Sequence, residues 1–596
     1  MRRLALLLSL LFSGAALAAP AAHFTVRADP PEHHYFQVEA RYAAQGEQLT
    51  LFMPVWTPGS YLVREHSRHV EQVEARDAGG RRLAVQKVAK NRWQVDTDGA
   101  GPIAVRYRVY AFELSVRTNY LDAEFGLTNG PALFLLPVDA KADADYDVTL
   151  VPPGGWGVHT ALPPHPQATG RHHFRADRDT LLDSPVVWGR PTVETFTVAG
   201  VDHHIVTVGA PAELFDPARA ARDLAKLVDT QRAFWGALPG YDNYLFLNVL
   251  ADSGGGLEHK ASTVIMGDRQ VMRDPEHYRD WLRLASHELF HAWNVKRLRP
   301  QALGPFDYEV ENHTHSLWVA EGITSYYDGL LWRRAGLADD KAFLERLSKN
   351  IKRLQTSPGR HVRSLALASF DAWIRFYRHD ENSVNADVSY YTKGAVVAFL
   401  LDAHLRKATA DKVTLGDVMR AAYARFSGAK GFTPAEFQAL ASDVAGVDLD
   451  DFFDRAVRGT ADLDYGPALA WFGLRFKPAD ASPDPAGWLG LTTHGAEGRL
   501  YIKEVPTGTP AHRAGLAPND ELLAIGEHRI PAKGWDEARG RQAPGEQTSV
   551  LVARRGVLRR LPVTFAAEPA ETWALEPDPK ASPAQKARLK AWLTAR

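Results

Sequence analysis

Residues 287–291 read His-Glu-Leu-Phe-His, two imidazoles four positions apart with a carboxylate between them. A helix turns about 100° per residue, so His287 and His291 share one face, one turn apart, and can converge on a single metal ion. Glu288 projects from the flank of that face, within reach of a water at the metal. Two neutral nitrogen ligands, an open position and a base are the parts of a zinc hydrolase. Catalytic zinc takes three protein ligands, and His-His-Glu is one established set. The segment SLWVAEGITSYYDGLL, residues 316–331, carries a candidate third ligand. Glu321 stands there among Trp318, Val319, Ala320 and Ile323, where an acid is costly to bury unless paired or bound to a metal. Zinc lowers the pKa of its water towards about 7 and polarises a peptide carbonyl. Glu288 would take the water's proton and pass it to the leaving amine.

Two further clusters carry polar groups suited to a substrate. ADSGGGLEHK, residues 251–260, follows the strand-like run YLFLNVL at 244–250. Its glycines, Gly255 and Gly256 among them, let backbone approach a ligand closely and tolerate unusual φ/ψ, and Glu258 follows them. In NADVSYYTKGAVVAFLLDAHL, residues 385–405, a helical apolar pattern begins after Gly394. Tyr390 and Tyr391 lie just before it, and spacing does not choose between them. Asp328 lies seven residues beyond Glu321 on the same helical stripe, a candidate to orient an imidazole.

HELFHAWNVKRLRP followed by WVAEGITSYY resembles the glycyl aminopeptidase family of zinc metallopeptidases. That family belongs to the thermolysin-like clan and is distantly similar to aminopeptidase N. Here residues 292–320 separate the second His from the ligand Glu, a longer interval than in aminopeptidase N. The resemblance implies an aminopeptidase, with a preference for small N-terminal residues such as Gly or Ala taken from the family name. It implies that Glu258, behind Gly255 and Gly256, grips the substrate's free α-amine, the contact that makes an exopeptidase. His259 departs from aminopeptidase N, which has an amide side chain there. It also implies that Tyr391 donates a hydrogen bond to the developing oxyanion, rather than Tyr390. Two other readings stay open: an endopeptidase whose C-terminal domain recruits chains, and a peptide-binding protein with a vestigial zinc site.

Several elements must position these groups. Tyr278, Trp281, Leu282 and Ala285 fall at i, i+3, i+4 and i+7, and no Pro or Gly intervenes before Pro300, which predicts a helix running through the metal motif. Residues 24–195 are rich in alternating runs such as HYFQVEARY, broken by Pro, Gly and Asp, and predict an all-β domain. Within it, MPVWTPGSYLVREHSRHV at 53–70 resembles the family's N-terminal domain. Residues 196–465 mix a few strands with long helices, as expected of a thermolysin-like α+β peptidase domain. After PADASPDPAG, the region within 470–567 resembles a PDZ domain, with Trp488-Leu489-Gly490-Leu491 matching its carboxylate-binding loop and PAHRAGL before ELLAIGEHRI. Such a domain would take a C-terminal peptide against a sheet edge. Residues 568–596 form a C-terminal tail, basic and Ala-rich from about 580, where it suggests a terminal helix with no role assigned. The expected fold is therefore multidomain, with β, peptidase and PDZ-like parts in that order.

At the N-terminus, Arg2 and Arg3 precede an apolar run, and Ala16-Leu17-Ala18 fits a cleavage site. Residues 1–18 read as a secretory signal, and the mature chain as periplasmic or secreted with no membrane span. The chain has no Cys, which excludes a lipid anchor on cysteine, disulfides and thiolate zinc ligands. A formal net charge of -1 gives no reason to expect nucleic-acid binding, so the expected partners are peptides or proteins.

Overall fold

The computed structural model describes residues 19–28, 30–44, 46–99, 101–141, 143–168, 170–211, 213–478, 485–570 and 572–594. The signal-like segment 1–18 and most of the Pro/Asp-rich connection after 478 lie outside them. The chain divides into two compact units. One comprises the chain up to Pro54 with residues 65–114 and 118–190. The other comprises residues 55–64, 115–117 and everything from Pro191 onward.

The first unit is β-rich. Strands 173–177, 145–151, 22–27, 35–42, 103–110, 70–76 and 82–83 lie side by side in that order in a seven-stranded sheet, and two four-stranded sheets accompany it. The period-2 pattern is visible in Tyr35–Tyr42, where Phe36, Val38, Ala40 and Tyr42 are buried and Gln37 and Arg41 exposed.

In the second unit, β1 (Thr192–Val198), β2 (Val201–Val208), β3 (Asn243–Leu250), β4 (Gly255–Glu258) and β5 (Ser262–Gly267) form a sheet in the order β1-β2-β3-β5-β4. β2, β3 and β5 run parallel, and β4 returns antiparallel to β5 as the edge strand. The central strand β3 is almost wholly apolar and buried, as expected where helices cover a sheet. Helix α1 (Pro217–Trp235) begins with Asp216 accepting from the Arg219 amide at 2.9 Å and Pro217 at its first position, and ends at Gly236 with φ 93°. Helices α2 (Pro275–Phe290), α3 (Ile323–Arg334) and α4 (Tyr390–Thr409) pack with it around one large core. No helix among the described residues is long and apolar enough to cross a membrane.

The C-terminal part is β-rich. Six strands between Thr492 and Thr564 form one sheet over a core of Leu489, Ile502, Leu516, Leu522 and Val550. The Asn385 side chain clamps its backbone, donating to Val505 O (3.1 Å) and accepting from the Thr507 amide (2.7 Å). The last segment is more than a tail. Leu575–Pro577 pairs with Leu474–Phe476, and the final helix Pro583–Thr594 buries Trp592 against Phe472, ring centroids 4.3 Å apart. Trp592 Nε1 donates to Tyr326 OH at 2.8 Å, which fixes this helix to α3. Lys586, Arg588 and Lys590 mark it as a surface helix by composition, which says nothing of what Trp592 packs against.

Candidate metal and peptide site

Helix α2 forms because Asp274 caps it, accepting from the Glu276 amide at 2.7 Å, and because Pro275 suits the first helical position. The stripe Tyr278, Trp281, Leu282, Ala285 and Leu289 is buried, and Trp281 Nε1 donates to Asn248 of β3 at 3.0 Å. His287 and His291 therefore emerge at the far end of a helix pinned to the sheet, with ring centroids 4.7 Å apart. The helix stops at Phe290 and His291 is its C-cap, although no Pro or Gly enforces this. The chain turns back through Val295, whose φ of 101° is strained for a β-branched residue. The turn places Asn294 O 2.9 Å from His291 Nδ1. The Asn294 amide donates to Val319 O (2.9 Å), Ala320 O (3.1 Å) and Thr324 Oγ1 (3.0 Å), tying the turn to the segment that carries Glu321.

That segment is helical as expected but opens with a π turn, Trp318–Gly322, before α3. The π turn puts Glu321 Oε2 3.4 Å from His287 Nε2 and 3.2 Å from His291 Nε2. Asp328, two turns further on, lies 2.9 Å from His287 Nδ1. Arg283 and Arg346 stand 3.4 and 3.6 Å from its carboxylate and balance the buried charge. With both Nδ1 atoms engaged, both Nε2 atoms turn towards Glu321.

Glycine sets the approach of α4. A methyl on Gly322 would lie 2.5 Å from Gly394 Cα, so the π turn and α4 meet backbone to backbone. Helix α4 starts at Tyr390, earlier than the apolar pattern suggested, with Ser389 accepting from the Thr392 amide at 3.2 Å. Both tyrosines fall in its first turn and point differently. Tyr390 is fully buried against Phe376, whereas the half-buried Tyr391 ring lies 6.3 Å from the His287 ring, 28° off parallel.

Edge strand β4 completes the site. A methyl on Gly256 would sit 2.1 Å from Glu288 Oε1, so this strand passes directly against the Glu288 carboxylate. Gly255, at φ 115°, has the backbone form that favours glycine. Glu258 is 3 % exposed, and its Oε1 has no hydrogen-bond partner among the described residues. One ligand atom each from Glu258, Glu288 and His291 fall within 4.8 Å of one another. Beneath Glu258 lies Gly59, where a methyl would come within 2.7 Å of both carboxylate oxygens. Gly59 belongs to the 53–70 stretch, whose residues 55–64 are part of this second unit. No role was expected of it from sequence, because its neighbour lies some two hundred residues further along.

Burial dominates the electrostatics. It pushes Glu288 up to about 7, with Glu258 and Glu321 adding to the rise against the two imidazoles. Burial would also raise Glu321, but His291 and His287 hold it down to about 2. For His287 burial works downwards, and Asp328 and Glu321 override it, lifting the ring to about 10. Burial, then Glu321, keeps Tyr391 well above the ordinary phenol range, so it remains an O–H donor.

His287, His291 and Glu321 offer ligand atoms within 4.8 Å of one another, and the buried Glu321 Oε2 has no hydrogen-bond partner among the described residues. Two imidazole nitrogens and one carboxylate oxygen brought together in this way form a donor set of the kind that binds Zn2+. Their second nitrogens are already oriented by Asp328 and Asn294, the usual outer support of histidine ligands. The residues present fit the metal.

Comparison with known proteins gives the family. Residues 23–190 match the model of the peptidase M61 N-terminal domain, and residues 280–397 match that of M61 glycyl aminopeptidase. The structure is similar to that of an aminopeptidase N family protein from Idiomarina loihiensis, at 30% identity and a TM-score of 0.89, covering 96% of this chain and 100% of that one. An M1 zinc metallopeptidase from Deinococcus radiodurans aligns at 15% identity and a TM-score of 0.48, over 74% of this chain and 94% of its own. No curated protein matches the chain. The chain belongs to the M61 glycyl aminopeptidase family and is an aminopeptidase.

Proposed function

We propose that His287, His291 and Glu321 hold the zinc ion, that Glu288 is the general base, and that Glu258 captures the substrate's N-terminal ammonium. Bound there, zinc would acidify a water and polarise the scissile carbonyl. Glu288 accepts the proton released as water attacks and returns it to the leaving amine. The Tyr391 hydroxyl donates to the carbonyl oxygen as negative charge develops on it. Gly255 and Gly256 let the substrate backbone run close beside β4, the open edge of the sheet. One observation carries the exopeptidase reading: a buried carboxylate oxygen of Glu258 lacks a partner among the described residues, close to Glu288 and His291. An ammonium supplies what that oxygen lacks, and it fixes how far the first peptide bond lies from the base.

Replacing Glu258 with Ala tests this. Turnover of alanyl- and glycyl-anilides should fall by two orders of magnitude or more, while cleavage of N-acetylated peptides stays negligible. Equal anilide turnover by the variant, or internal cleavage of acetylated peptides by either form, returns the function to an endopeptidase. Bound zinc with no hydrolysis of any peptide would leave a binding protein.

The small-residue preference is part of the proposal, to be read from a panel of aminoacyl-anilides. We further propose that the C-terminal sheet, within 470–567, is a PDZ domain binding a peptide C-terminus. Thr492–Ala496 is an edge strand directly after Trp488–Leu491, the arrangement strand addition requires. The proposed catalytic domain spans 196–465, joined by residues 55–64 and 115–117. The signal-like residues 1–18 support a periplasmic or secreted enzyme.

A further inference from the structure

Arg117 comes from a three-residue segment, 115–117, that packs with the catalytic unit. Its backbone is pinned, the carbonyl accepting from Thr57 Oγ1 at 3.1 Å and the amide donating to Ser115 Oγ at 3.3 Å. Its guanidinium is not. Nε is buried with no hydrogen-bond partner, and no carboxylate of the described residues is ion-paired with it. The side chain reaches edge strand β4, with Nη1 4.0 Å from where a methyl would sit on Gly255. It also acts on Tyr377, lowering a phenol that burial chiefly raises, so the charge faces the side of the site where Tyr390 and Tyr391 cluster. A planar cation with unused donors at the open edge of a peptide cleft is matched to a carboxylate, which it can grip with two parallel N–H bonds.

Position says which carboxylate. Gly255 precedes Glu258 by three residues, about 10 Å along a strand. An extended peptide advances at most about 3.3–3.6 Å per residue. With its ammonium at Glu258, a substrate lying along β4 therefore reaches Arg117 two or three residues downstream. We propose that Arg117 is a specificity residue that binds a substrate carboxylate there: the C-terminal carboxylate of a di- or tripeptide, or the side-chain carboxylate of an acidic residue at that place. The proposal rests on the reading of Glu258 as the ammonium site. It makes the enzyme most efficient on short peptides, the products left by other peptidases.

The test uses initial rates on tri-alanine, tri-alanine amide and Ala-Ala-Glu amide, with alanyl-anilide as a reference. Hydrogen bonds to a charged group imply a tenfold or greater advantage in kcat/KM for tri-alanine over its amide, carried mainly by KM. Arg117→Leu should bring the acid-to-amide ratio close to one. If Ala-Ala-Glu amide shares the advantage and loses it in the variant, the side-chain carboxylate is a second source of the same contact. A wild-type enzyme that cleaves all three peptides equally well overturns the proposal without needing the variant. So does an Arg117→Leu enzyme that keeps the wild-type ratio. Wild-type failure on the anilide and all three peptides would instead sink the aminopeptidase reading, an outcome distinct from turnover without carboxylate preference.

Discussion

Gly256→Ala separates folding from catalysis. Gly256 lies in β4 with no positive φ, so alanine adopts its backbone conformation without strain. The added methyl would lie 2.1 Å from Glu288 Oε1, 2.4 Å from Cδ and 2.6 Å from Cγ. Ordinary contact begins near 3.4 Å, so the carboxylate must retreat by about 1.3 Å, and the collision at Cγ means the whole side chain must rotate. The side chain that must move is buried, so overpacking should cost about 1–3 kcal/mol, offset in part by the lower entropy that alanine gives the unfolded chain. Catalysis has no such freedom. Displacing a catalytic group by about 1 Å costs on the order of a hundredfold, about 2.7 kcal/mol of barrier. The assay is kcat for alanyl-anilide, alongside zinc content and thermal denaturation. A variant that melts below wild-type but is folded at the assay temperature, binds one zinc and loses about a hundredfold in kcat with little change in KM is expected. Wild-type kcat in a folded, zinc-loaded variant would refute the contact between β4 and the proposed base, Glu288.

Other perturbations probe the supports of the site. Asp328→Asn replaces the carboxylate at His287 Nδ1 and leaves Arg346 and Arg283 facing a neutral group, so zinc affinity should fall about 10–100-fold in competition with a chelator. Gly322→Ala presses a methyl on α4 backbone that cannot rotate away, and chemical denaturation should show a loss of about 1–3 kcal/mol. Lys393, 1 % exposed, is lowered by burial to about 8, against 10.5 for a free lysine. Between those two values the unfolded chain binds the extra proton, so this residue makes stability rise with pH through that window and weakens the fold below it. Lys393→Met should raise the Tm at pH 7, and its advantage over wild-type should shrink towards pH 10.5.

What the sequence revealed follows from how local each signal is. The helix stripe from Tyr278 to Ala285 and the spacing of His287 and His291 depend only on helical period, and both were legible. An acid among apolar neighbours marked Glu321, because burial cost is written in the residues beside it. The helix end at Phe290 was not legible, since Asn294 stops it through bonds to Val319, Ala320 and Thr324, contacts no local pattern encodes. The HAWN phrase carries a family likeness, and the isolated Asn after an apolar pair is its only local hint of a helix stop. The π turn at 318–322 reads as ordinary α-helix by composition, and only packing on Gly394 distinguishes it. Gly59 and Arg117 reach the site from segments far along the chain, and a glycine or arginine in a loop carries no mark of what it will touch.

The most direct test of the central claim follows one peptide over time by mass spectrometry, in a form with a free N-terminus and in an N-acetylated form. An aminopeptidase anchored by Glu258 releases single residues in order from the free end and leaves the acetylated peptide intact. Internal cleavage of the acetylated peptide at a rate comparable with the free one would contradict it.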